Sequence, residues 1–140
     1  TAMETDKVKA IVALEPGSFV YPENEAPEWI ENLYVNFPTP TVSPEKFERL
    51  TKIPIVIYFG DNIPDEHSTN AGQDWWYAVR RMAGYFADTV NRHGGDVTIV
   101  DLPSIGLYGN THFIFSDTNN KEVAEHILSW MHEKGLDAEE

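Results

Sequence analysis

Three short apolar runs predict buried strands. They span Lys9 to Leu14 (KAIVAL), Ile53 to Phe59 (IPIVIYF) and Val97 to Leu102 (VTIVDL). The first two are continuous rather than alternating, which is typical of a parallel sheet covered on both faces. A turn signal follows each run: Glu15-Pro16-Gly17, Gly60-Asp61-Asn62 and Pro103-Ser104.

Apolar residues three and four apart predict helices between and after these strands. One helix is expected from Gln73 to His93, ended by Gly94-Gly95 in a left-handed conformation. A short helix is expected at Ser43-Pro44, with Ser as N-cap and Pro at the first helical position. The last helix is expected to begin at Asn119, with Glu122 completing a capping box, and to end at Gly135. The order of elements predicts an α/β fold with parallel strands.

Residues 18–50 interrupt this alternation and are interpreted as a lid-like insertion. The segment is rich in proline and in large apolar side chains: Phe19, Tyr21, Trp29, Leu33, Tyr34 and Phe37. A connection of this length is uncommon in a compact domain unless it serves as a lid or a binding loop.

Composition excludes several classes of function. The 140 residues suffice for one domain, and 41% of them are hydrophobic, which favours a globular protein. The net charge of −13, with 10 Lys+Arg against 23 Asp+Glu, argues against a nucleic-acid partner and disfavours anionic substrates. Because the chain has no cysteine, thiolate catalysis and disulfides are excluded, and no apolar run is long enough to predict a membrane span.

Three ionisable residues fall where the carboxyl ends of the predicted strands meet. Glu15 follows the first strand, Asp61 follows the second and His112 lies in the loop after the third. A carboxylate and a histidine are two members of a Ser-His-acid triad, in which the acid orients the imidazole and the histidine moves the proton. The acid precedes the histidine here, as in α/β-hydrolases, and either Glu15 or Asp61 could be that acid.

The expected nucleophile is absent. None of the six serines (Ser18, Ser43, Ser68, Ser104, Ser116 and Ser129) lies in a Gly-x-Ser-x-Gly frame. Three strands also make a thin sheet, and the first residue is not methionine. We therefore expect the serine to lie upstream of Thr1, on a removed segment or on a second chain.

Four stretches resemble a known family. They are VALEPG (Val12 to Gly17), IPIVIYFGD (Ile53 to Asp61), NRHGGDV (Asn91 to Val97) and GNTHFIFSDTNNKEVAEHILSW (Gly109 to Trp130). Together they resemble the C-terminal half of bacterial-type α/β-hydrolase serine esterases, a group whose acid is a glutamate after the sixth strand of the full sheet.

The resemblance implies that residues 1–140 are the C-terminal part of a single α/β-hydrolase domain. By motif, Glu15 is then the acid and His112 the base, with Asp61 as the alternative acid or as an orienting group. The serine and the oxyanion hole would come from the N-terminal half of the hydrolase, which would be the partner. The substrate would be a small ester, and the reaction would need no cofactor.

Other roles are less specific. Phe19, Trp75, Tyr108 and Phe113 are candidates for the substrate pocket. Asp61, Asp65, Glu66 and His67 form an acidic cluster, but their spacing matches no recognised metal loop, so no metal site is predicted. The alternative functions are a non-catalytic acidic α/β binding module and a hydrolase-fold amidase or lactonase.

Overall fold

The computed structural model describes residues 1–28, 31–36 and 39–137. In chain order the elements are strands β1 (Ile11–Leu14), β2 (Tyr21–Pro22) and β3 (Thr41–Val42), helix α1 (Pro44–Glu48), strand β4 (Pro54–Phe59), helix α2 (Ala71–Arg92), strand β5 (Asp96–Asp101) and helix α3 (Asn120–Glu133). Short 3₁₀ turns cover Arg49–Lys52, Leu102–Ile105 and Ile114–Ser116. The predicted α/β fold is confirmed.

The main sheet has the strand order β1-β4-β5, and both pairs are parallel. Its register places Ile11 beside Ile55 and Pro54 beside Asp96. All three predicted strands are present. Their observed ends differ by one or two residues from the apolar runs, because pairing with the neighbouring strand, rather than hydrophobicity, decides where a strand ends.

A helix covers each face of this sheet. On one face, Ile55 and Ile57 of β4 share a core with Val79, Met82 and other residues of α2. On the other face, the alternate residues Val56 and Tyr58 pack with Val123 and Trp130 of α3. This two-sided burial explains the continuous apolar runs. Within the described ranges, no helix has the length and apolar character needed to cross a membrane.

Helix α2 begins two residues before its predicted start. The side chain of Asn70 accepts hydrogen bonds from the amides of Gly72 (3.0 Å) and Gln73 (3.2 Å), and this cap brings Ala71 into the helix. At the other end Gly94 adopts φ 82°, as predicted for a left-handed stop. The predicted short helix α1 is also present, with the hydroxyl of Ser43 accepting from the Lys46 amide.

The insertion, residues 18–50, has more regular structure than a bare loop. It contains the small parallel pair β2 and β3 as well as α1. Parts of it lie against α2: the Tyr21 hydroxyl donates to the Met82 carbonyl at 2.8 Å, and Glu25 accepts from Nε2 of His93 at 2.7 Å. Of the aromatic residues predicted to characterise it, Trp29 and Phe37 lie outside the described residues.

The capping box predicted for the last helix does not form. Asn119 does precede α3, but its side chain makes no capping hydrogen bond. Its amide group instead exchanges two hydrogen bonds with the side chain of Asn110, at 2.7 and 2.9 Å. The side chain that the local sequence assigned to the helix end is thus hydrogen-bonded to the preceding loop instead.

Candidate active site

Glu15 ends β1 in an unusual backbone conformation. Its φ is 43°, in the left-handed region that L-residues avoid at a cost of about 1–2 kcal/mol. Its amide continues the sheet by donating to the Tyr58 carbonyl at 2.9 Å. The side chain is only 4% exposed, and Oε1 accepts from the Gly60 amide at 2.6 Å. The carboxylate is therefore held between β1 and the end of β4.

Gly60 lets the carboxylate approach the backbone this closely. A Cβ at position 60 would lie 2.7 Å from Glu15 Oε1 and 3.1 Å from the carbonyl oxygen of Thr111. Neither neighbour leaves room for a methyl group, since the first is a buried carboxylate and the second is backbone. The Gly-Asp turn recognised in the sequence is thus also a packing requirement of the site.

The second oxygen of Glu15 is paired with His112. Glu15 Oε2 lies 2.8 Å from His112 Nδ1, across 97 residues of chain. A carboxylate is an acceptor, so Nδ1 carries the proton and Nε2 is left as the nitrogen that can accept one. The His112 side chain is 46% exposed, and the Trp76 ring lies against it with centroids 4.5 Å apart. The arrangement fixes both the tautomer and the orientation of the imidazole.

A network of polar side chains holds the loop that carries His112. Asp117 accepts from the amide and the hydroxyl of Thr111, at 2.8 and 2.9 Å, and from the side chain of Asn110. The amide of Thr111 is the main reason that the pKa of Asp117 lies below its usual value, opposing the effect of burial. Asn110 is buried and also bonded to Asn119. The loop is therefore held by hydrogen bonds on both sides of the histidine.

Asp61, the alternative acid, helps to hold the same loop. Its described hydrogen bonds are to backbone amides and not to the imidazole of His112. Its Oδ2 accepts from the Gly109 amide at 2.9 Å, and its Oδ1 accepts from the Asn62 amide at 2.7 Å. These two backbone donors lower the pKa of the Asp61 carboxyl, with Gly109 the larger cause. Asp61 is thus hydrogen-bonded to the loop, whereas Glu15 is hydrogen-bonded to the histidine.

The four candidate pocket residues lie in different settings. Tyr108 and Phe113 are exposed on the loop that carries His112, with Phe113 5.3 Å from the imidazole between ring centroids. Trp75 is exposed at the start of α2, whereas the adjacent Trp76 is the ring that meets His112. Phe19 is buried in the core, 5.4 Å from Phe86 between ring centroids. Their role in substrate binding stays a prediction.

A second buried carboxylate was not singled out by the sequence. Asp74, in the first turn of α2, accepts from the Leu33 amide (2.6 Å), His67 Nδ1 (2.8 Å) and the Ser68 amide (3.1 Å). Burial acts to raise the pKa of Asp74, but these donors outweigh it and hold the pKa below its usual value. An acidic residue in a first helical turn is an ordinary dipole partner, so the local sequence gave no sign of this role.

No nucleophile is placed on the imidazole by the described part of the chain. All six serines are described, and none of them is hydrogen-bonded to His112. Across residues 1–28, 31–36 and 39–137, no group of three or more His, Asp and Glu side chains could hold a metal ion. His67 of the acidic cluster is instead paired with Asp74.

The edge of the sheet beside the site is flanked by apolar grooves. Among the described strands, β1 pairs only with β4, and Val12 at its centre is exposed. One groove, of about 260 Å³, opens on the α2 face and includes Ile11, Ala13 and Phe19. The other, of about 310 Å³, opens on the α3 face and includes Leu14 and Phe115. The unpaired edge is thus apolar above and below the sheet.

Two comparisons with known proteins found similar chains, although no protein-family model matches this one. The solved structure of a novel bacterial esterase superposes on 94% of this chain with a TM-score of 0.66 and 29% sequence identity. A probable secreted lipase, phiG, of a fungal species (strain ATCC 74256) is 40% identical over 45 residues.

Both matches cover a small part of the other protein. The chain spans 32% of the bacterial esterase chain, and the aligned segment spans 12% of the fungal lipase. In this chain the fungal match covers 32% of the residues. The predicted resemblance to an esterase is confirmed: nearly the whole chain is similar in fold and sequence to about a third of a bacterial esterase.

Proposed function

We propose that this chain is the acid- and base-bearing part of a carboxylic-ester hydrolase with a Ser-His-Glu triad. The observation that carries the proposal is the 2.8 Å pairing of buried Glu15 with His112 Nδ1, at the carboxyl edge of a parallel sheet. The likeness of 94% of the chain to a bacterial esterase supports the same reaction class. Asp61 orients the loop of His112 in this proposal and is not the acid.

His112 carries the proton transfers. A serine hydroxyl attacks the ester carbonyl while Nε2 takes its proton, and the imidazolium formed is stabilised by Glu15. When the tetrahedral intermediate collapses, Nε2 gives the proton to the departing alcohol and the acyl-serine remains. Water then attacks the acyl-serine, with Nε2 again taking and returning a proton, and the carboxylic acid leaves.

The serine and the oxyanion donors come from a companion segment outside this sequence. None of the six serines is placed on His112, which requires a nucleophile from elsewhere. The unpaired edge of β1 offers it a docking place, because a strand added there would complete backbone pairing and fill the two apolar grooves. The companion is the N-terminal half of the hydrolase, present as a second chain or as a preceding segment.

Intact-mass spectrometry with a fluorophosphonate probe tests this. The protein is isolated under native conditions from its source and treated with the probe, which labels an activated serine. We expect the label on a serine outside the 140 residues. A His112→Ala variant should abolish labelling, and His132→Ala, which alters an exposed histidine of α3, should not. If no serine associated with this chain is labelled, the proposal is rejected.

A further inference from the structure

One hydrogen bond does not by itself hold the His112 ring in position. Within the described ranges, the bond from Nδ1 to Glu15 Oε2, at 2.8 Å, is the one that the imidazole makes. This bond holds Nδ1 but leaves the ring able to tilt about the contact, and the His112 side chain is 46% exposed. Tilting would move Nε2 away from a serine hydroxyl, and proton transfer is sensitive to such displacement. A second contact with the ring is therefore important.

The indole of Trp76 makes that second contact. It lies against the imidazole with ring centroids 4.5 Å apart and ring planes inclined at 42°. The separation is at the short end of the range for aromatic pairs, which is about 4.5–7 Å. Trp76 is also half-buried and packs against the core between the sheet and α2. The ring that touches His112 is thus itself held by the core.

The sequence of α2 explains how Trp76 reaches both places. Core residues three and four positions apart lie on one face of a helix. In α2 this stripe consists of Trp76, Val79, Ala83, Phe86 and Val90. Trp76 is its first member and lies near the start of the helix, which follows the carboxyl end of β4. The core-facing stripe of α2 therefore continues as far as the edge of the sheet where Glu15 and His112 meet.

Phe113 also contacts the imidazole but cannot hold it in the same way. Its ring centroid is 5.3 Å from that of His112, and its side chain is 57% exposed. Phe113 is the next residue in the same loop, so it has no separate attachment to the core through another element. Trp76 belongs to a different element, and its contact restrains the loop from outside.

The Trp76 contact is expected to strengthen during the reaction. When Nε2 takes the serine proton, the imidazole becomes an imidazolium. The π-system of an indole attracts a cation whose distance from the ring centroid is within about 6 Å, and tryptophan does so best among aromatic residues. Because the charged ring gains more from this attraction than the neutral ring, the contact favours the transition state over the bound substrate.

We propose that Trp76 is the positioning residue of His112, and that its indole both restrains the imidazole paired with Glu15 and stabilises the imidazolium formed as the serine attacks. The inference rests on the hydrolase function proposed above. In this role Trp76 touches neither the ester nor the serine and acts through His112.

Steady-state kinetics of the companion-bound hydrolase test the role. Trp76→Leu keeps an apolar side chain but has no aromatic ring, and it should lower kcat for phenyl acetate about tenfold. Its KM should stay within about twofold, since ground-state binding is not affected. Trp76→Phe restores an aromatic ring and should keep kcat within about threefold of the unmodified enzyme. Equal kcat values for Trp76→Leu and Trp76→Phe would overturn the role of the ring.

The next residue of α2 offers a matched control. The Tyr77 ring lies 4.7 Å from that of His67, between centroids, and His67 Nδ1 is paired with Asp74 at 2.8 Å. Tyr77→Leu therefore removes the same kind of contact from the other carboxylate-bound histidine, and it should leave kcat within about twofold. If Tyr77→Leu lowers kcat as much as Trp76→Leu, the loss comes from the helix and the role of Trp76 is rejected.

NMR tests the restraint without catalysis. In the 140-residue chain with isotope-labelled histidine, the Nδ1 proton of His112 should exchange with water about fivefold faster in Trp76→Leu than in the unmodified chain. The Nδ1 proton of His67 should be unchanged in Trp76→Leu and should exchange faster in Tyr77→Leu. Unchanged exchange at His112, or loss of both signals together in Trp76→Leu, would overturn the positioning role.

The two proposals can fail separately. An active hydrolase whose kcat is the same with Trp76→Leu contradicts the role of Trp76 alone. A complex of this chain with its companion that hydrolyses no ester contradicts the hydrolase function and, with it, the stabilisation of an imidazolium by Trp76.

Discussion

Two buried carboxylates each hold a histidine, and they do so with the same geometry. Glu15 meets His112 and Asp74 meets His67, in both cases 2.8 Å from Nδ1. What differs is the remaining contacts. Glu15 joins two adjacent strand ends from a disfavoured φ of 43°, whereas Asp74 lies in an ordinary helix and joins an insertion to it.

The contrast shows that a carboxylate–imidazole pair does not by itself identify a catalytic centre. The position in the fold distinguishes them: Glu15 lies at the carboxyl edge of a parallel sheet, where α/β proteins bind ligands, and its backbone is strained. Asp74 sits at a helix N-terminus, where a carboxylate is already favoured by the helix dipole. The first pair suits proton transfer, and the second suits holding a segment in place.

The largest difference between the two pairs should appear in turnover. In the companion-bound hydrolase, Glu15→Gln should lower kcat/KM for phenyl acetate by about 10³–10⁴-fold, because the amide no longer stabilises the imidazolium or the correct tautomer. Asp74→Asn should change it by no more than about twofold. Steady-state kinetics measure both, and comparable losses in the two variants would show that the pairs do not differ in role.

A glycine pair sharpens the comparison on the Glu15 side. Gly60→Ala should lower the free energy of unfolding by about 1–3 kcal/mol, because its Cβ would overlap the Glu15 carboxylate. Gly84→Ala in α2 meets nothing within 4 Å and should raise stability by about 0.5–1 kcal/mol. Urea denaturation measures the two changes. If Gly60→Ala is as stable as the unmodified chain, the Glu15 carboxylate does not pack closely against position 60.

Acid should reduce the stability that the pairing of Asp74 with His67 contributes. The pKa of Asp74 is lowered in the folded chain, so its contribution is complete above the unfolded value of about 3.9 and is lost as the pH falls through the lower folded value. Urea midpoints measured from pH 6 to pH 2.5 should therefore fall less steeply for Asp74→Asn than for the unmodified chain. Parallel curves would mean that the carboxylate is not stabilised by its donors.

The smallest effect is expected at a third, more exposed carboxylate–histidine contact. Glu25 of the insertion pairs with His93 Nε2 at 2.7 Å and with Arg92 at 3.2 Å, at the other end of α2. Glu25→Gln should lower the free energy of unfolding by about 0.5 kcal/mol, since partly exposed pairs are screened by water and salt. Denaturation in low and high salt checks this, and a loss larger than that of Gly60→Ala would reverse the ranking.

Sequence reasoning succeeded where a signal is local. The strands, α1 and the body of α2 follow from apolar spacing and from caps such as Ser43. The sequence predicted that Glu15 and His112 lie close together, because parallel strands present their carboxyl ends at one edge of the sheet. It failed at Asn119, whose partner Asn110 lies in the preceding loop, and at Asp74, whose partner Leu33 is 41 residues away, because no periodic pattern encodes such contacts. Choosing between Glu15 and Asp61 needed a family resemblance, because both follow a strand in the same way.

The attachment of the insertion to α2 also sets an order of events during synthesis. Glu25 is separated from Arg92 by 67 residues, so a ribosome working at about 5–20 residues per second needs about 3–13 s to supply the second partner after the first. Until then Phe19 and Tyr21, which end up in the core beside α2, lack the part of that core that α2 supplies. The nascent chain thus exposes these aromatic side chains for seconds, an interval in which chaperones and self-association compete for them.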